Sequence, residues 1–189
     1  IREEFATPRL TEIVDGGADL EDEDLIQRED MVVTVTHAGW IKRVPLDSYR
    51  AQKRGGKGRS GMATKDEDAV TRLFVTSTHA PVLFFSTHGK VYRLKVWRLP
   101  EGPPQARGRP MVNLLPLAEG ETISTVLPLP GDEAEWSKLH VIFATAHGQV
   151  RRNSMDAFAN VPSNGKFAMR FDEDATDRLI AAALLTEEE

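Results

Sequence analysis

Between Tyr49 and Gly61 the chain reads Tyr-Arg-Ala-Gln-Lys-Arg-Gly-Gly-Lys-Gly-Arg-Ser-Gly, with five basic residues, four glycines and no acid. Cations strung at this density match the repeated charges of a polyanion. Glycines let the backbone come close to a phosphate and turn N–H groups toward it. A nucleotide-cradling loop is excluded. That pattern needs Gly where Ala51 stands and Ser or Thr where Gly58 stands. The plainer reading is a solvated basic loop. Tyr49, next to it, is a candidate contact to a sugar or phosphate.

Little else in the chain suggests chemistry. Three of the five histidines, His37, His88 and His147, sit at turns beside or near a Gly and read as turn residues; the others are His79 and His140. None has the spacing of a metal-binding helix. The acidic runs 21–24 and 66–68 lack the spacing and glycine of a calcium loop and read as solvated loops. There is no G-x-S-x-G nucleophile elbow. With no cysteine, thiolate zinc sites, cysteine nucleophiles and disulfide scaffolds are excluded. No catalytic residue, metal or cofactor is expected.

The segments that would position the basic groups are strands. Met31–Thr36 is rich in β-branched residues, turns at His37-Ala38-Gly39 and continues as Trp40–Pro45. The phrase returns as Val82–Thr87, His88-Gly89, Lys90–Leu94, and again as Val141–Ala146, His147-Gly148, Gln149–Arg152. A loop with Gly and a cation follows each hairpin: Lys53–Gly58, Arg107-Gly108-Arg109 and Asn164-Gly165-Lys166. A further strand then follows: Ala69–Ser77, Thr122–Leu129 and Asp177–Leu185. The last has helix-forming composition, and only its place in the repeat makes it a strand. Asp66-Glu67-Asp68-Ala69 and Asp172-Glu173-Asp174-Ala175 match at an offset of 106. A period near 50 with short strands predicts an all-β, propeller-like array of about three units, 31–80, 81–137 and 138–189. Lys42-Arg43, Arg93 with Lys95 and Arg98, and Arg151-Arg152 follow the turns and would lie on one curved rim. Trp40, Trp97 and Trp136 are expected to pack between blades, and Tyr92 within its strand.

The formal net charge of −5 argues against nucleic acid only until it is divided along the chain. Residues 1–30 carry −8, 31–65 carry +7, 66–110 carry +3, 111–137 carry −5, 138–171 carry +4 and 172–189 carry −6. Screening over about 8–10 Å makes the local patch matter more than the total. Residues 1–13, interrupted by Pro8, read as the end of a helix; Asp15-Gly16-Gly17 is a break, and 19–24 an acidic linker. No apolar run approaches the ~18–20 residues of a membrane span. The first residues do not read as a signal peptide. The chain starts without Met and is expected to be a piece of a longer, cytoplasmic protein.

Gln52-Lys53-Arg54-Gly55-Gly56-Lys57-Gly58 resembles the basic box Q-R-R-G-G-K-G in the GyrA-type polypeptide of bacterial DNA gyrase, with Lys53 in place of Arg. Glu29-Asp30-Met31-Val32-Val33-Thr34 and Gly39-Trp40-Ile41-Lys42-Arg43 resemble the start of that polypeptide's C-terminal domain. Phe5-x-x-Pro8-Arg9-x-Thr11-Glu12-Ile13 resembles the segment leaving its breakage–reunion region. The related decatenating topoisomerase lacks an intact box. The resemblance implies a β-pinwheel, usually of six blades, that wraps duplex DNA around its rim without sequence preference. It implies 1–30 as the end of an upstream helix plus linker, and 31–189 as a partial pinwheel. The fragment would be non-catalytic and monomeric. It would belong to an ATP-dependent type II topoisomerase, with the upstream domain and the gyrase B polypeptide as partners in an A2B2 assembly. The implied DNA contacts are Gln52, Lys53, Arg54, Gly55, Gly56, Lys57, Gly58 and Arg59, continued by Lys42, Arg43, Arg93, Arg107, Arg109, Arg151 and Arg152. The alternative is a propeller-like protein-interaction scaffold.

Overall fold

The computed structural model describes residues 22–49, 68–171 and 176–186. After a short 3-10 turn at Asp22–Leu25, β1 (Asp30–Thr36) and β2 (Trp40–Pro45) form the first hairpin. The strands are β-branched and fit an extended backbone. The turn glycines Gly39, Gly89 and Gly148 have φ of +82°, +76° and +83°, so the repeated His/Ala–Gly phrase does mark the three turns. β3 (Val70–Ser77) pairs with the free side of β1. The second unit holds β4 (Pro81–Ser86), β5 (Lys90–Lys95), the two-residue β6 (Arg109–Pro110) and β7 (Ile123–Pro128). The third holds β8 (Leu139–Thr145), β9 (Val150–Ser154), the two-residue β10 (Lys166–Phe167) and β11 (Leu179–Thr186). Residues 179–186 are therefore a strand despite their composition. The cross-strand ladder to β8 outweighs local helix propensity.

The sheets interlock. Their orders are β3-β1-β2-β6, β10-β5-β4-β7 and β11-β8-β9. The second unit lends β6 to the first sheet, where Arg109 faces Ile41. The third unit lends β10 to the second sheet, where Lys166 faces Val91. Each loan begins at a glycine. Gly108 has φ +81°, and a Cβ there would lie 2.3 Å from the Ile41 carbonyl oxygen. Only glycine permits both the angle and the approach.

Packing explains why β4 shows no polar alternation. Pro-Val-Leu-Phe-Phe-Ser is buried throughout. Val82 and Phe84 enter a core with Val33, Val35, Ile41 and Met111 of the neighbouring strands and turns. Leu83 and Phe85 enter a second core with Phe143, Met155, Phe158 and Leu179. The period of two sends successive side chains to opposite interfaces. Phe85, Phe143 and Phe158 meet edge to face, with centroids 5.2–6.1 Å apart. Each large side chain so buried contributes roughly 1.5–3 kcal/mol.

The last strand of each unit bulges at the same place. The bulge residues are Thr71, Ser124 and Ile180. In the first two, the hydroxyl donates to the opposite carbonyl, Val35 O at 3.3 Å and Phe85 O at 3.0 Å. This register corrects the offset of 106. Thr36 faces Val70 and Thr145 faces Leu179, so the units superpose at 109 and Asp68 corresponds to Asp177. The geometry agrees. Asp68 Oδ1 accepts from Ala38 N, and Asp177 Oδ1 from His147 N, each at 2.9 Å. The acidic repeat seen at 106 is a near-match three residues out of register.

Candidate nucleic-acid interface

The basic box, Gln52 to Gly58, and Arg59 lie outside the described residues. Tyr49, just before the box, is half-buried, and burial pushes its phenol up. The remaining expected contacts divide sharply. Lys42 is fully buried, and its ammonium donates to the carbonyls of Pro103, at 3.2 Å, and Pro104. Burial pushes its pKa down. It anchors the loop that precedes β6 and is not on the rim.

Arg43, Arg93 and Arg152 occupy one register position, opposite Val33, Leu83 and Ile142. In the first two units the guanidinium reaches forward into the next unit. Arg43 Nε donates to Leu99 O at 2.8 Å, and its Nη2 pairs with Glu101 at 2.8 Å. Arg93 donates to Ala159 O, pairs with Glu133 and lies 5.1 Å from the Trp136 ring centroid. Leu99 and Ala159 each follow the 3-10 turn of their unit. The two arginines are thus staples between units, only 14% and 17% exposed, and not free for phosphate. A side chain at this position points across the interface, because strand alternation fixes its face.

Arg152, by contrast, is exposed and has no such partner among the described residues. Arg151 is exposed and donates to Asn153 Oδ1 at 2.9 Å. Arg109 is exposed on β6. Arg107 lies 5.2 Å from the Trp40 centroid. The same edge of the second sheet repeats the theme. Lys90 and Arg170 lie 5.5 and 5.3 Å from the Phe167 centroid. β7 packs against β11 on the inner side, so the edges at β6 and β10 form the outer side of the first two sheets. There the charged groups of Lys90, Arg107 and Arg170 lie over aromatic faces. Sequence reading missed Lys90 and Arg170. The usable signal was register: Lys90 takes the position of Trp40 relative to the turn glycine.

The titratable groups serve the fold. Burial pushes Asp68 up, but the N–H groups of Ala38 and Ala69, the Thr36 hydroxyl and nearby His37 outweigh it and hold it below the usual carboxylate value. Asp177 is held down the same way by Thr145, His147 and Arg178. Glu121 stands at the corresponding place in the second unit. One methylene longer, it turns inward, where Tyr92 Oη donates to its carboxylate at 3.1 Å and Ala118 N at 2.7 Å. Burial first, and then the Glu121 charge, push the Tyr92 phenol up to about 12. Tyr92 is therefore a packing residue, as its strand position suggested. Among the described residues no group of three or more His, Cys, Asp or Glu could hold a metal ion. No described helix is long and apolar enough to cross a membrane.

Interlocked four-strand sheets and a cation-lined outer edge define a β-pinwheel domain, a variant of the propeller. The chain belongs to the family described as "DNA gyrase C-terminal domain, beta-propeller", which matches residues 30–77, 80–130 and 139–186. It is 57% identical over its whole length to the DNA gyrase A polypeptide of Rickettsia bellii, and 52% over 99% of its length to that of Granulibacter bethesdensis. It spans about a fifth of those polypeptides, 21% and 20%. The C-terminal domain of DNA topoisomerase IV shares the fold at TM-score 0.70 and 23% identity, over 84% of this chain and 46% of that one. A DNA gyrase A C-terminal domain does so at TM-score 0.59 and 23% identity, over 84% and 49%.

Proposed function

We propose that this chain binds duplex DNA along its outer edge, without sequence preference, and wraps it for a type II topoisomerase. The observation that carries the reading is the set of cations along the outer edge of the first two sheets, Lys90, Arg107, Arg109 and Arg170, in a chain whose relatives are gyrase A polypeptides. The basic box, which begins four residues beyond the 3-10 turn that follows β2, would supply further phosphate contacts through Lys53, Arg54, Lys57 and Arg59. Contacts of this kind position and bend a duplex but do not read its bases. The upstream breakage–reunion domain and the gyrase B polypeptide would supply the cutting and the ATP-driven steps. The chain itself has no proposed catalytic role and no proposed cofactor.

The test is fluorescence anisotropy with short and long duplexes over a salt series. Each neutralised phosphate contributes a slope of about −0.9 in log affinity against log salt. Replacing Arg54 and Lys57 together by Ala should flatten the slope by roughly 1.8. A protein-scaffold role has one observation in its favour, the exposed apolar residues Val70, Leu73 and Val75 on β3. Absence of salt-dependent binding in the folded native chain would decide for that reading.

A further inference from the structure

We propose that the cleft where the second unit meets the third, lined by Lys95, Trp97 and Arg98, is a phosphate-binding position on the DNA path, and that the Glu23 carboxylate fills it when DNA is absent. The inference rests on the DNA-binding reading above and adds to it a site and a built-in competitor.

Glu23 Oε1 lies 3.2 Å from Lys95 Nζ. The contact is held by backbone. His79 Nε2 sits 3.2 Å from the Glu23 carbonyl oxygen. Thr78 Oγ1 donates to Gln27 O at 2.8 Å, and Thr78 N donates to Glu29 O at 2.9 Å. The acidic segment is thus seated on the corner before β4, with one carboxylate on the basic end of β5.

The rest of the cleft offers donors. It encloses about 260 Å³ between β5 and the third unit's Asn160 and Val161. The Arg98 guanidinium lies 4.9 Å from the Trp97 centroid and has no carboxylate among the described residues. The Trp97 indole N–H is shielded from solvent and has no acceptor among them. Ammonium and guanidinium together suit an oxyanion with several acceptor oxygens better than they suit one carboxylate.

Glu23 belongs to the run Glu21-Asp22-Glu23-Asp24, a short polyanion tied to the domain it would shield. DNA must displace it, so the segment sets a threshold for binding at this junction.

The test is a double-mutant cycle on the intact chain: native, Glu23→Gln, Lys95→Ala and both, each titrated into a short duplex over a salt series. Glu23→Gln should tighten binding about 2–5-fold at low salt, the reach of a partly exposed ion pair. The gain should fade as salt rises. Lys95→Ala should weaken binding and flatten the salt slope by about 0.9. Glu23→Gln should then have no effect in the Lys95→Ala background. The Trp97 indole proton resonance, followed on the native protein, should move when DNA is added. Native binding with both single variants unchanged, or with a silent Trp97, overturns the site and leaves the DNA reading intact. Equal tightening with and without Lys95 also overturns it, since that is long-range charge alone. Failure of all four folded proteins to bind refutes the DNA reading and the site with it.

Discussion

Arg93 separates a staple from a phosphate contact. Replacing it by Ala removes the donor to Ala159 O, the partner of Glu133 and the cation over Trp136. A charged donor to a carbonyl contributes about 1.5–3 kcal/mol. The stack adds about 0.5–2 kcal/mol. The half-exposed ion pair adds up to about 1 kcal/mol. These groups share one side chain and do not add fully, so the expected loss is about 2–4 kcal/mol. Arg93→Lys keeps the charge but not the planar fork or stack, and should lose about half as much. The assay is urea unfolding, reading the midpoint at constant slope, alongside the DNA salt titration on folded protein. The staple reading requires lower stability with an unchanged salt slope. A variant within about 0.5 kcal/mol of native that loses one phosphate's worth of slope would refute it.

Two further outcomes follow from the same geometry. Gly108→Ala places a Cβ against the Ile41 carbonyl at φ +81°, while Gly120→Ala, at φ +73°, meets nothing within 4 Å. The first should cost about 3 kcal/mol, because the lent strand must shift, against ~1 kcal/mol for the backbone angle alone in the second; thermal melts of the pair will show the gap. Tyr92 is raised in the folded state to about 12. Folded protein therefore holds the proton while unfolded chain releases it from about pH 10 upward. Stability present below about pH 10 should fall as pH rises toward 12, by an amount on the order of 2–3 kcal/mol. Tyr92→Phe should be less stable at neutral pH, since Glu121 loses its donor, and should lack that alkaline decline in pH-dependent urea midpoints.

The sequence determined the repeat. Glycine after His or Ala at residues 39, 89 and 148, each flanked by β-branched or aromatic runs, permits few folds other than stacked hairpins. It also determined the charge segregation and the box, because both are linear patterns. Two-residue strands such as Arg109–Pro110 carry no periodicity. Their pairing with a neighbouring unit is set by the approach of Gly108 to Ile41. Nor does a cation's letter say where its charge is spent. Lys42, Arg43 and Arg93 read like Arg107 and Arg109, yet three-dimensional packing turns the first three toward carbonyls and carboxylates of the next unit. Strand alternation chooses the face, and packing against the neighbouring unit chooses the partner. Both are tertiary facts, and they decide which arginines hold the wheel together and which remain exposed for an anion.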